Sequence, residues 1–113
     1  MITKEIQDGV LIEGINLKRA TIKEAEECKR IILKDIKDGW IKIVINLYMC
    51  EFMDSTFLGT LVLAAKKVGK LGGALKLVAP TSIKQTILDI SGASRVLPVF
   101  QNTNDAVLSF KIN

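Results

Sequence analysis

Between two stretches with helical spacing lies Trp40 to Leu47, WIKIVINL, a β-branched segment whose centre, Ile43-Val44-Ile45, is apolar without a break. A strand with one wet face alternates apolar and polar residues. An unbroken run calls for cover on both faces, which helices supply when strands are parallel. The helix before it starts near Thr21 and carries Ala25, Cys28, Ile32 and Ile36 as an apolar stripe among Lys, Glu and Arg, stopping at Asp38-Gly39. The helix after it runs from about Ser55 to Leu71, with Leu58, Leu61, Val62, Ala65 and Val68 on one face. Gly72-Gly73 ends it, since glycine accepts a left-handed backbone without strain.

The alternation continues downstream. Ala74 to Ala79 reads as a strand; Pro80-Thr81-Ser82 opens a third helix, apolar at Ile83, Ile87 and Ile90 and closed by Ser91-Gly92. Val96 to Phe100 reads as a short strand and Thr103 to Phe110 as a last helix, capped by Asn102 or Thr103. At the start of the chain, Ile2 to Ile6 alternates, Val10-Leu11-Ile12 resumes after Gln7-Asp8-Gly9, and the Asp-Gly pair predicts a hairpin. Gly14-Ile15-Asn16-Leu17 leads from there into the first helix, and Tyr48 to Met53 reads as a short connection. Two opening strands followed by helix and strand in turn predict one α/β domain over residues 1–113, a mixed sheet with about four helices packed against it.

Composition narrows the function. The chain has no histidine, which removes Ser-His-Asp and Cys-His catalysis and a Cys/His zinc site; Cys28 and Cys50 stand far apart and read as reduced structural thiols. There is no GxxxxGK[ST] loop and no GxGxxG after the first strand; Gly69 to Gly73 falls at a helix end, where the dipole is wrong for phosphate. Glu24, Glu26 and Glu27 read as the solvated side of a helix, so no catalytic pair stands out and an enzyme is not expected. The net charge of +4 comes from scattered lysines and arginines without interleaved aromatics, which argues against nucleic acid. No apolar run nears the roughly 18–20 residues of a membrane span. The first residues also lack the form of a signal peptide, so a cytoplasmic location is expected.

One segment stands apart: Cys50-Glu51-Phe52-Met53-Asp54-Ser55-Thr56-Phe57-Leu58-Gly59, which follows a buried strand and opens a helix. Its three consecutive small polar side chains sit where the first helical N–H groups lack acceptors. Asp54 or Ser55 can act as the cap. With Asp54 as cap, Ser55 takes the first helical position with its hydroxyl toward solvent. A phosphate there would meet the positive end of the helix, opposed by Glu51 and Asp54, and would add about −1.5 to −2 charges without a change of fold.

Glu51-Phe52-Met53-Asp54-Ser55-Thr56, followed by Leu58-Gly59, resembles the signature of the STAS domain in bacterial anti-sigma factor antagonists, roughly apolar-aspartate-serine-serine/threonine-glycine-leucine-glycine. The likeness extends to the strand Ile41 to Leu47, to Lys70-Leu71-Gly72-Gly73 with the strand after it, and to Ile87-Leu88-Asp89-Ile90-Ser91-Gly92. The resemblance implies a regulatory module that binds an anti-sigma factor, often also its serine kinase. Phosphorylation releases that partner and a phosphatase restores it. Carried to this chain, Ser55 is the phosphoacceptor, Asp54 the acid that shapes the site and Thr56 the following hydroxyl. ATP belongs to the kinase, and no cofactor or metal is implied for this chain. Phe57 stands where the family usually has glycine, either as an exposed anchor for a partner or as core filling, the latter favoured. Lys18 replaces a usual acid in the region Gly14 to Ala20. A second reading keeps the fold without phosphorylation, as a scaffold or a domain binding a nucleotide or apolar molecule, with Phe57 and the Tyr48 to Cys50 loop lining the contact. A third, a small hydrolase or transferase, needs clustered titratable groups in a pocket.

Overall fold

In chain order the elements are β1 (Ile2–Gln7), β2 (Val10–Ile15), β3 (Arg19–Ala20), α1 (Ile22–Lys37), β4 (Lys42–Asn46), β5 (Phe52–Met53), α2 (Ser55–Lys70), β6 (Ala74–Val78), α3 (Thr81–Asp89), α4 (Ala93–Val96), β7 (Val99–Phe100) and α5 (Thr103–Leu108), with a 3-10 turn at Ser109–Lys111. The computed structural model describes residues 1–90 and 92–111. Ser91, placed from the sequence at a helix end, lies outside them.

Five strands form one sheet in the order β1-β2-β4-β6-β7. β1 and β2 are the antiparallel hairpin, Gln7 opposite Val10, and the turn between them has Asp8 at φ 53 and Gly9 at φ 77. Two successive left-handed residues make the turn whose twist matches the strands, which is why Asp-Gly marks it. Each remaining neighbour is parallel, Ile12 beside Val44 and Val44 beside Lys76, so every step across the sheet needs a helical crossover.

The unbroken run in β4 is covered on both sides. Ile43 and Ile45 pack with Leu75, Leu77 and the inner faces of α1 and α2, while Val44 joins Val10, Ile12, Val78 and the α5 residues Ala106 and Val107. No helix among the described residues is long and apolar enough to cross a membrane.

Three details differ from the sequence reading. The strand expected over Val96 to Phe100 is two residues long, Val99–Phe100, because Pro98 has no N–H to pair; its carbonyl accepts from Leu77 N–H at 2.8 Å. The residues before it, Ala93–Val96, instead form one helical turn after Gly92 at φ 81, which brings the described α-helices to five. Phe52–Met53, expected within a connection, pairs in parallel with Arg19–Ala20 as a separate two-stranded ribbon. At the C-terminal helix the cap is Asn102, whose Oδ1 accepts from Asp105 N–H at 2.8 Å.

Candidate functional site

Because β2 and β4 are parallel, the helices that follow them start at the same edge of the sheet, and one carboxylate ties the two starts together. Asp54 is the N-cap of α2: Oδ1 accepts from Phe57 N–H at 2.9 Å. Its Oδ2 accepts from Ile22 N–H, the first residue of α1, at 2.8 Å. Asp54's own N–H donates to the Ala20 carbonyl at 3.0 Å, continuing the β3–β5 ribbon. On the α1 side Thr21 completes a capping box: its hydroxyl oxygen accepts from Lys23 N–H at 3.3 Å, and Glu24 Oε1 accepts from Thr21 N–H at 3.0 Å. Glu24 is therefore a capping residue rather than free surface; Glu26 and Glu27 are exposed.

Ser55 occupies the first position of α2 and Thr56 the second, both exposed. Their N–H groups precede the first intrahelical acceptor and have no partner within the helix. Phe57 is fully buried and the largest such side chain; its ring belongs to the core with Leu58 and Leu61. That settles its two sequence readings: it anchors the helix start from beneath, is absent from the site's surface and cannot line a ligand contact. Glu51 is exposed and held by its backbone, N–H to the Lys18 carbonyl at 2.7 Å.

The segment that leads to Ser55 exposes several apolar side chains. Tyr48 and Met49 project from the β4–β5 connection, and Phe52 carries the Arg19 guanidinium 4.3 Å above its ring. Beside Ser55 a small cleft of about 250 Å³ runs between α2 and the α3–α4 turn, with Val62, Ile90 and Lys66 on its walls. Cys50 beneath the loop is buried, donates Sγ–H to the Phe52 carbonyl at 3.1 Å, and has its thiol pushed up by burial. Burial likewise pushes the Cys28 thiol up to about 11, so both free thiols stay protonated and unreactive near neutral pH. Each oxygen of Asp54 is committed to a helix N–H, which leaves it poorly placed as a base for the neighbouring hydroxyl. Among the described residues no group of three His, Cys, Asp or Glu side chains is arranged to hold a metal ion.

The second bond of Asp54 and the capping box escaped the sequence reading. Thr21-x-x-Glu24 is a local signal for the box, whereas the Asp54–Ile22 bond spans 32 residues and has none.

The family model for the STAS domain matches residues 2–106, and the chain belongs to that family. A protein of Thermotoga neapolitana proposed to be an anti-sigma factor antagonist is 28% identical over 108 residues, which cover 95% of each chain. The crystal structure of an anti-sigma factor antagonist from Mycobacterium paratuberculosis superposes with a TM-score of 0.86 at 22% identity, covering 98% of this chain and 93% of that one. The phosphorylated form of the Bacillus cell fate determinant SpoIIAA gives 0.73 at 16% identity, covering 97% and 99%. At these identities the two structures establish the fold, a single α/β STAS domain.

Proposed function

We propose that the chain is an anti-sigma factor antagonist: a cytoplasmic, non-catalytic module that binds an anti-sigma factor and is switched by phosphorylation of Ser55. The observation that carries this reading is the division of labour at the start of α2. Asp54 is turned inward to two backbone N–H groups, Phe57 is buried, and Ser55 is left exposed on a cleft whose walls include Leu58, Val62 and Ile90. A cleft with apolar walls and a hydroxyl among its lining groups suits a protein partner. A phosphate on Ser55 would be tolerated by the helix N-terminus yet place a dianion at that cleft, where a partner fitted to a neutral surface would have to desolvate it. The buried Phe57 presents no bulk to a kinase where the family has glycine. The relative named above and the phosphorylated SpoIIAA neighbour support the same reading. The kinase, which can be the anti-sigma factor itself, and a phosphatase act in trans.

The test compares wild-type, Ser55→Ala and Ser55→Asp chains as bait in native cell extract, with mass spectrometry of the captured proteins and of Ser55. An anti-sigma factor is expected with wild-type and Ser55→Ala, at least about tenfold less with Ser55→Asp, and a fraction of the wild-type chain is expected to carry phosphate on Ser55. Equal capture by all three forms would sink the switch. Capture of no anti-sigma factor by any form would sink the partner assignment.

A further inference from the structure

α1 and α2 lie side by side and start at the same edge of the sheet, and a surface groove follows the seam between their outer faces. Its C-terminal half, about 980 Å³, is floored by Leu33, Ile36 and Leu71. Its rim carries Lys29, Arg30, Lys34, Lys37 and Lys67 against two acids, Glu26 and Asp38. The N-terminal half, about 430 Å³, shares Glu26 and Lys29 with the first, passes Gly59 and Leu63, and ends at Ile22 and Thr56. Large apolar side chains stand open along its course: Ile22 is 66% exposed, Leu63 45% and Leu71 56%.

Lysines near a helix C-terminus have an ordinary explanation, since they complement its dipole. That accounts for Lys34, Lys37 and Lys67, which lie in the last turns of their helices. It does not account for Lys29, placed mid-helix, nor for exposed leucine and isoleucine along the same line. Local pairing does not quench the charge either. Lys34 meets Asp38 at 2.8 Å and Arg30 reaches Glu27 at 3.9 Å, but Lys29, Lys37 and Lys67 have no ion pair among the described residues.

We propose that this groove is a docking site for an acidic amphipathic helix of a partner protein. Two parallel helices expose a furrow into which the side-chain ridge of a third can seat. Each flanking helix has 16 residues, so the furrow is about 24 Å long, the length of a four- to five-turn helix. Leucine-like residues of the occupant meet Leu33, Leu63 and Leu71, and its carboxylates meet the unpaired lysines on the rim. The open space over Gly59, where a Cβ would touch nothing within 4 Å, lets the occupant approach α2 closely. The concave shape favours a helix over a flat lipid surface. This site stands independently of Ser55 phosphorylation.

The probes are a helical peptide of about 16 residues with a leucine stripe flanked by glutamates, the same peptide with lysines for the glutamates, and phosphatidylcholine vesicles containing about a quarter phosphatidylserine. With the full chain, the acidic peptide is expected to bind saturably, to shift the amide resonances of Leu33, Lys67 and Leu71, and to weaken with added salt. Lys29→Glu/Lys67→Glu is expected to reduce its affinity by about tenfold or more, and Leu71→Ser to reduce it without a change in charge, both with unaltered circular dichroism. Absence of binding at about 1 mM peptide, equal binding of acidic and basic peptides, shifts confined to other surfaces, or full affinity in the charge-reversed chain would overturn the proposal. Binding of vesicles without binding of the acidic peptide would overturn it in favour of a membrane surface.

Discussion

The carboxylate of Asp54 accepts at one oxygen from α2 and at the other from α1, so its loss uncaps two helices at once. An ordinary cap is worth about 1 kcal/mol. With an exposed and a part-buried N–H released together, Asp54→Ala is expected to lower unfolding free energy by about 2 kcal/mol, two caps' worth. Asp54→Asn separates the two bonds: its single amide oxygen can serve one N–H, while the amide NH₂ faces the other, so an intermediate loss is expected. Thr21→Ala, which removes a cap from α1 alone, sets the scale at about 1 kcal/mol. Urea unfolding of the three variants measures this, and an Asp54→Ala loss no larger than that of Thr21→Ala would show that the bond to Ile22 contributes nothing. At this scale the sequence was informative for one half of the geometry. A small acid before an apolar helix reads as a cap, but which distant N–H the second oxygen meets depends on the parallel pairing of β2 and β4.

At the scale of elements, the end of α2 shows why two adjacent glycines are not equivalent. Gly72 takes φ 87 and donates to the Gly69 carbonyl, and Gly73 N–H donates to Val68 at 3.0 Å, the paired bonds of a Schellman motif. The left-handed backbone read from the sequence belongs to Gly72. Gly73 is required for a different reason: a Cβ there would collide with the Ile41 carbonyl oxygen, which accepts from Ala74 N–H as β6 starts beside β4. Gly69, inside the helix and exposed, has open space where its Cβ would stand. Gly69→Ala is therefore expected to raise stability by about 0.5–1 kcal/mol. Gly73→Ala should lower it by about 3 kcal/mol or more, since the obstacle is backbone. Thermal unfolding distinguishes these, and equal midpoints would refute the steric account. Elements with long periodic patterns were legible for the same reason that they are stable: their burial repeats. β3 and β5, two residues each, are too short to show alternation, and α4 ends on Val96, which reads as the start of a strand until Pro98 and the turn at Gly92 are taken into account.

Across the whole molecule, the least conventional feature is an ionisable side chain in the core. β2 is buried along its length, and Glu13 within it is 0% exposed, opposite Lys4 on β1 and near Asp35 on α1. Lys4 Nζ lies 2.7 Å from Asp35 Oδ1 and 3.9 Å from Glu13 Oε2, which leaves both Glu13 oxygens and Asp35 Oδ2 without a hydrogen-bond partner if both acids are ionised. A proton held by Glu13 and donated to Asp35 partners one Glu13 oxygen and Asp35 Oδ2, two of the three. Burial and then the Asp35 carboxylate push Glu13 up to about 8, against the weaker pull of Lys4. The sequence reading passed over Glu13, and its two partners, on β1 and α1, meet it only through the fold. The unfolded chain releases this proton near pH 4.5 and the folded chain holds it to about 8, so the folded state binds more protons between those values and stability falls as pH rises through that window. The contribution is intact below the lower value and lost above the upper one, with a slope of at most about 1.4 kcal/mol per pH unit. Cys28, the other group facing this cluster from α1, titrates higher, at about 11, and leaves the window clear. Glu13→Gln carries a permanent neutral donor to Asp35 in the same shape. Its stability is expected to be nearly flat from pH 5 to pH 8.5, about equal to wild type at the low end and higher at the high end. Urea midpoints across that range provide the measurement; a wild-type chain as flat as the variant, or a variant with the wild-type slope, would rule out Glu13 as the titrating group.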